Sequence, residues 1–265
     1  MATKVAIIGA GNLGTAIAQG LIKSDVKAAD ITITRRNLSK IDHLKSDGFV
    51  LTTNNAEAAK NSQLVFLCVQ PKQLSQLLNE IKSTLNPDQI IVSTITGVST
   101  EEIASQIDKK IPIVRAMPNT AIAIGKSMTC LCAKDASDKQ LAEIKRIFNA
   151  LGETLVIEER LMKAATVLAA SGIAFAMRYI RAATQGGIQM GFDSEEAQLI
   201  AAQTVLGAAS LITSRESHPE IEIDKVTTPE GCTIAGLNEM EHQGLSSALI
   251  KGIITSFDKI NSIKK

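Results

Sequence analysis

Lys4-Val-Ala-Ile-Ile-Gly9-Ala-Gly11-Asn12-Leu13-Gly14, followed by Thr15-Ala-Ile-Ala-Gln-Gly-Leu-Ile22, decides the fold. The apolar run at residues 5–8 reads as a buried strand, residues 9–14 spell G-x-G-x-x-G, and from Thr15 apolar residues recur at helical spacing. Strand, glycine turn and helix in that order make a dinucleotide site. Gly9 permits the tight turn, Gly11 lets the backbone approach a pyrophosphate, and Gly14 lets helix and strand pack closely, so that free N–H groups at the helix start face the anion.

A chain of 265 residues exceeds the size at which a single core stops growing, which predicts two domains. A net charge of +1 and 3% aromatic residues supply neither the field nor the stacking surface that nucleic acid needs. Cys68, Cys130, Cys132 and Cys232 lack the C-x-x-C pairs of zinc or redox sites and read as free thiols in a reducing compartment, with no metal expected. The first strand begins within a few residues of Met1, leaving no room for a signal peptide, so the expected location is cytoplasmic. The longest uncharged stretch, residues 197–214, holds Gln198, Gln203, Thr204, Ser210 and Thr213, and reads as a helix buried in protein rather than in a membrane.

Further strands are expected at residues 31–34, 49–51, 64–69, 89–93, 111–115, 127–133 and 154–157, alternating with helices. One of these helices opens at Asn37 and runs to residue 47; Pro71 starts another; Ser99 with Glu102 makes a capping box. The alternation predicts an α/β, Rossmann-type, doubly wound parallel sheet over residues 1–158, with ligands beyond the carboxyl ends of its strands. Arg35 and Arg36 follow the second strand, and no acid stands there to take a ribose hydroxyl. That favours NADP (NADPH), with NAD as the alternative.

From residue 159 to 265 strand signals stop. Residues 161–190 and 194–214 read as long helices, the second capped by Ser194, and shorter ones follow at 220–225 and 236–261. Their apolar faces run nearly all round, which predicts an all-helical domain pairing in a homodimer, with a higher oligomer left open.

His43 reads as solvated, and His218 and His242 as structural. Hydride transfer by positioning is the chemistry that remains. A second stretch, Val226-Thr-Thr-Pro229-Glu-Gly231-Cys-Thr233-Ile-Ala-Gly-Leu237, places threonines, proline and glycine before a helix, where N–H groups and hydroxyls would suit a carboxylate; taken alone, an ordinary capped turn is the better reading.

Together these motifs resemble the pyrroline-5-carboxylate reductases over essentially the whole chain. The likeness rests on Gly9-x-Gly11-Asn12-x-Gly14, Asn55-x-Glu57-Ala58, Arg115-x-Met117-Pro118-Asn119-Thr120, Gly186-Gly187-x-x-Met190-Gly191, His218-Pro219 and Val226-Thr-x-Pro229-x-Gly231-x-Thr233-Ile234. The resemblance implies NAD(P)H-dependent reduction of 1-pyrroline-5-carboxylate to L-proline, the last step of proline biosynthesis, by a dimer interlocked through its helical domain. It implies that Gly231, Cys232 and Thr233 hold the substrate carboxylate through backbone N–H groups. The Thr233 hydroxyl would relay a proton through water to the ring nitrogen. It also implies that Asn12, Leu13, Arg35, Asn55, Val69, Pro71, Thr96, Gly97, Met117, Pro118 and Asn119 line the cofactor. Ser171 and Glu216 would stand near the substrate, Glu216 equally as an interface residue.

The chain departs from the family pattern at Ala170 and Ile173, where a helix-bending Gly and Pro are usual, which predicts a straighter helix, and at Glu230, where Gly is usual. Two alternatives follow. One is an NADP-binding sensor without turnover, motivated by those departures. The other is a β-hydroxyacid dehydrogenase, which relies on a lysine one helical turn after Gly172, where this chain has Ala176.

Overall fold

The apolar runs form strands with every residue buried: β1 (Val5–Ile8), β4 (Leu64–Leu67), β5 (Ile90–Ser93) and β6 (Ile113–Met117). With β2 (Ile31–Thr34), β3 (Val50–Thr52), β7 (Ser127–Lys134) and β8 (Gly152–Val156) they make one sheet of order β3-β2-β1-β4-β5-β6-β7-β8. The computed structural model describes residues 3–215 and 217–262, without the side chains of 215, 261 and 262. The chain divides into two units, one holding the residues up to Ser171 and those from Lys259 on, the other Gly172–Asp258. Sequence reasoning places the domain boundary at 158/159.

Because side chains alternate across a strand, each face of the sheet buries its own core. Val5, Ile7, Phe66, Val92 and Val114 pack with Ile17 and Leu21 of α1 (Asn12–Lys23) and with residues of the later helix at 138–149. Ile8, Val65, Leu67, Ile91 and Ile113 face the other way. There they meet Leu74, Leu78 and Ile81 of α3 (Leu74–Ile81), which follows α2 (Asn55–Lys60), and Ile103 of α4 (Thr100–Ala104). In the first core Phe66 meets Phe148 of α5 (Asp138–Asn149) with ring centroids 6.3 Å apart. Burying each such ring contributes about 1.5–3 kcal/mol.

The pairing is parallel from β3 to β6 and between β7 and β8, but β6 and β7 run antiparallel, so the sheet is mixed where sequence reasoning expected parallel strands throughout. The reason lies in residues 118–126. A parallel return needs a crossover of roughly a dozen residues or more. This connection is shorter, and holds a 3₁₀ turn, Thr120–Ile124, closed by Gly125 at φ +71°.

Other expectations are corrected locally. Strand β6 starts at Ile113 rather than Ile111, because Pro112 has no N–H for the ladder, although its carbonyl accepts from Ile91 N at 2.9 Å. The expected helix after Asn37 is 3₁₀, Leu38–Lys45, whose two buried residues, Ile41 and Leu44, stand three apart and eclipse in that geometry. The long helix after residue 161 is not α-helical throughout. Following α6 (Met162–Ala165), residues Thr166–Ser171 form a π-helical stretch before α7 (Gly172–Gln189). The missing Gly and Pro are therefore not the only source of irregularity: Thr166 Oγ1 donates to Met162 O at 2.8 Å, a side-chain bond that competes inside the ladder.

In the second unit, α7 pairs with α8 (Ser194–Arg215), and Gly187 permits their approach: a Cβ there would lie 2.9 Å from Ala197 Cβ. Asp193, not Ser194, caps α8, its Oδ1 accepting from Glu195 N and Glu196 N. His218 accepts from Glu220 N and caps α9 (Pro219–Val226), while the His242 ring bonds the Asn238 carbonyl of its own helix, α10 (Cys232–His242), so both histidines have structural partners. The last helix is α11 (Leu245–Ser262).

Within one chain α8 is not buried as expected: among its described residues only Ala197 and Ala201 are. Met177, Leu199, Leu206 and Ile250 are 57–70% exposed. The hydroxyls of Thr204, Ser210 and Thr213 donate to carbonyls one turn back, so these three groups need no outside partner where apolar surface covers them. Residues 159–189 and 194–214 are also long and apolar enough to cross a membrane, by length and composition alone.

Candidate functional site

In the sheet unit a cleft of about 590 Å³ opens at the carboxyl ends of the strands, where the order reverses between β1 and β4. The glycine turn forms its floor. Gly9, at φ +106°, approaches the β4 exit loop so closely that a Cβ would lie 2.5 Å from Cys68 O. Ala10 N donates to Thr34 O at 3.0 Å, joining the turn to the end of β2. A Cβ on Gly14 would fall on the Gly9 carbonyl. At Gly11 it would meet nothing within 4 Å, and what lies beside Gly11 is the cleft. Two glycines are thus required by the protein's own backbone and the third leaves room for a guest. Gly11 caps α1 without a side-chain bond, leaving the first N–H groups, at Asn12, Leu13 and Gly14, to an anion.

Arg35, Arg36 and Lys40 line one region of the cleft. Arg35 Nη1 donates to Ala10 O at 2.6 Å, fixing the guanidinium against the turn. Thr34 Oγ1 donates to Asn55 Oδ1 at 2.6 Å, and Asn55 Nδ2 donates to Glu80 Oε2 at 3.0 Å. Burial pushes the Cys68 thiol up to about 11, against a lowering hydrogen bond from Thr94, so the wall it forms is uncharged at neutral pH. Of the sequence-predicted cofactor residues, the cleft brings together Gly9, Gly11, Arg35, Arg36, Asn55 and Val69. Sequence reasoning missed Lys40 and Glu80. A third cation four residues after Arg36 was a signal for Lys40, whereas only the fold brings Glu80 to Asn55.

Pro71, Thr96, Gly97, Met117, Pro118 and Asn119 lie outside the cleft lining. Pro71 opens a 3₁₀ turn, and Thr96 is exposed beside Gly97 at φ +78°. Pro118 is buried, and the Met117 side chain packs with Cys130, Cys132 and Met162. Asn119 is used up by the protein: Oδ1 accepts from Ala121 N, and Nδ2 donates to Ala169 O in the π-helical stretch at 3.1 Å. That stretch ends at Ser171, half-buried.

Arg115, from the same motif, is buried, and its Nη1 donates to Glu159 Oε1 at 2.8 Å, while Thr100 Oγ1 and Cys132 Sγ both donate to Oε2 at 2.9 Å. Burial works to raise the Glu159 carboxyl, but the Cys132, Arg115 and Thr100 bonds and the Arg115 charge outweigh it and hold the group below its usual range. Burial and the adjacent carboxylate push the Cys132 thiol far up, keeping it neutral.

In the helical unit, Thr228-Pro229-Glu230-Gly231 closes a turn, with Gly231 N donating to Thr228 O at 3.0 Å. Proline at the second position and φ +59° at Glu230 are the marks of a type II turn, which favours glycine at its third position. A Cβ on Gly231 would lie 2.5 Å from Thr228 Oγ1. Gly231 caps α10 without a side-chain bond, and its own amide is engaged in the turn, which leaves the N–H groups of Cys232 and Thr233 at the helix start. Cys232 is exposed and Thr233 half-buried. Glu216 lies outside the described residues. Because Glu230 holds a left-handed conformation, Glu230→Gly is expected to stabilise the chain by about 1 kcal/mol, strain relief less the added freedom of the unfolded glycine. A lowered urea midpoint would contradict the turn assignment.

Comparisons with known proteins fit both halves. Residues 159–263 match a family model described as pyrroline-5-carboxylate reductase dimerisation, and residues 4–97 one described as NADP oxidoreductase, coenzyme F420-dependent. The chain is 51% identical to pyrroline-5-carboxylate reductase 1 of Dictyostelium discoideum, over 98% of its own length but 49% of that protein's, so it spans about half of that relative. It is 46% identical to pyrroline-5-carboxylate reductase 2 of the same organism, over 96% of this chain and 91% of that protein. A solved pyrroline-5-carboxylate reductase from Coxiella burnetii superposes with a TM-score of 0.93 at 29% identity, covering 100% of both chains.

Proposed function

The chain belongs to the pyrroline-5-carboxylate reductase family, and from that premise we propose that it reduces 1-pyrroline-5-carboxylate to L-proline with NADPH, as a homodimer. The observation that carries the cofactor half is the open side of Gly11, facing a cleft that also holds Arg35, Arg36 and Lys40. When bound, NADPH supplies the hydride that adds to the imine carbon C5. The N–H groups at the start of α1 receive the pyrophosphate, and the three cations hold the 2'-phosphate. Asn55 and Val69 flank the adenosine and central parts. Pro71 and the backbone of Thr96, Gly97, Met117, Pro118 and Asn119 border the nicotinamide.

The imine's carboxylate is held by the N–H groups of Cys232 and Thr233, in the turn shaped by Gly231. The nitrogen gains one proton as C5 gains the hydride. The Thr233 hydroxyl passes that proton on from water, since its own acidity is far too low for direct donation. The apolar faces of α7, α8 and α11 are covered by a second copy, which gives the two long apolar helices a partner other than lipid.

Thr233→Ala tests this assignment. The expected result is a fall in kcat of about 100-fold with the NADPH Kd unchanged, because the substitution removes an interaction made in the transition state and none made with the cofactor. An unchanged kcat would remove Thr233 from the reaction.

A further inference from the structure

We infer that Glu80 reads the adenine base of the cofactor, accepting a hydrogen bond from its 6-amino group. The inference rests on the NADPH reading above and goes beyond it to base identity. Four residues of the β4 exit segment and α3 line the cleft, Gln73, Gln76, Leu77 and Glu80, and their spacing of three, four and seven makes them one helical face. That face starts beside Val69, after central strand β4, and ends where Glu80 meets Asn55, after edge strand β3. The adenosine end of a dinucleotide lies on this side, since Arg35 and Arg36 follow the intervening strand β2.

Glu80 is the one acid among the described residues lining the cleft. A carboxylate repels phosphates, so its value to a dinucleotide is confined to the ligand's donors. It is also held in place. An ionised carboxylate only accepts, so Asn55 must turn Nδ2 toward Glu80 and Oδ1 toward Thr34, and this is the arrangement observed. The bond to Asn55 uses Oε2, leaving Oε1 for a donor in the cleft. Adenine presents an amino donor at this point, and hypoxanthine presents a carbonyl.

The test compares NADPH with its hypoxanthine analogue, deamino-NADPH, by titration calorimetry on the wild-type protein and on Glu80→Gln. Glutamine keeps an acceptor for Asn55 and adds a donor, so the variant is isosteric and its fold is checked by thermal unfolding. Wild type is expected to bind NADPH at least about tenfold more tightly than deamino-NADPH, as a hydrogen bond to a charged group allows. In Glu80→Gln the ratio is expected to fall to near one. Equal wild-type affinities, or a ratio unchanged in the variant, would overturn the role of Glu80 while leaving NADPH binding in place. Failure of the wild type to bind NADPH at all would overturn the cofactor reading and this inference with it.

Discussion

Glu159→Ala is expected to lower unfolding stability by about 3 kcal/mol, the lower end for breaking a buried ion pair because Glu159 keeps part of its surface in water. The side chain is 34% exposed, whereas Arg115 is 4% exposed and would be left charged with no carboxylate. Nε and Nη2 of Arg115 already have no protein partner, so Nη1 to Glu159 is the bond that balances its charge. Thr100 and Cys132 would lose their acceptor as well. Arg115→Met combined with Glu159→Leu should recover most of the loss, because a matched apolar pair has no charge to desolvate. Urea unfolding of Arg115→Met, Glu159→Leu and the double separates these terms, and additive losses in the double would show that the pair is not coupled.

The same pair has a pH signature. The Glu159 carboxyl is lower in the folded than in the unfolded chain, so its contribution is present above the unfolded value of about 4.3 and is lost as pH falls through the folded one. The stability gap between wild type and Glu159→Gln should therefore hold at neutral pH and close on acidification below that value.

The glycine turn gives the second large effect, through a contrast within one motif. Gly14→Ala drives a methyl onto the Gly9 carbonyl, and a backbone oxygen cannot move aside cheaply, so a loss of about 3 kcal/mol is expected, at the upper end for overpacking. Gly11→Ala puts the same methyl into open space at φ −82°, an ordinary backbone conformation, and should change stability by less than about 0.5 kcal/mol. Its effect appears on binding. A methyl in the space a pyrophosphate must enter costs about 1–3 kcal/mol, which is tenfold or more in the NADPH Kd. Equal NADPH affinity in Gly11→Ala and wild type would show that the pyrophosphate lies elsewhere.

What the sequence made legible followed from local physics. Short apolar runs bounded by polar residues, such as residues 64–67, read as strands covered on both faces, and G-x-G-x-x-G between a strand and a helix has one common geometry. Ser99 with Glu102 forms the expected reciprocal cap, Ser99 N to Glu102 Oε2 at 2.7 Å and Glu102 N to Ser99 Oγ at 3.1 Å. Long-range choices were not legible. Nothing near Asn119 announces that its amide will bond Ala169, fifty residues on, or that Arg115 will find Glu159 rather than a ligand. The π-helical stretch at 166–171 contains no Gly or Pro to mark it. Met117 and Asn119 read as cofactor residues because they stand in a recognisable loop, and the structure leaves only their backbone for that task.

The central claim is turnover, and one assay bears on it most directly: purified protein with NADPH and 1-pyrroline-5-carboxylate, following NADPH oxidation and L-proline formation together. The expected result is one proline per NADPH consumed, at a kcat within the usual enzymatic range of about 1–1,000 per second. A folded sample that binds NADPH and forms no proline would contradict the reductase account and favour a sensor that keeps the cleft without the chemistry.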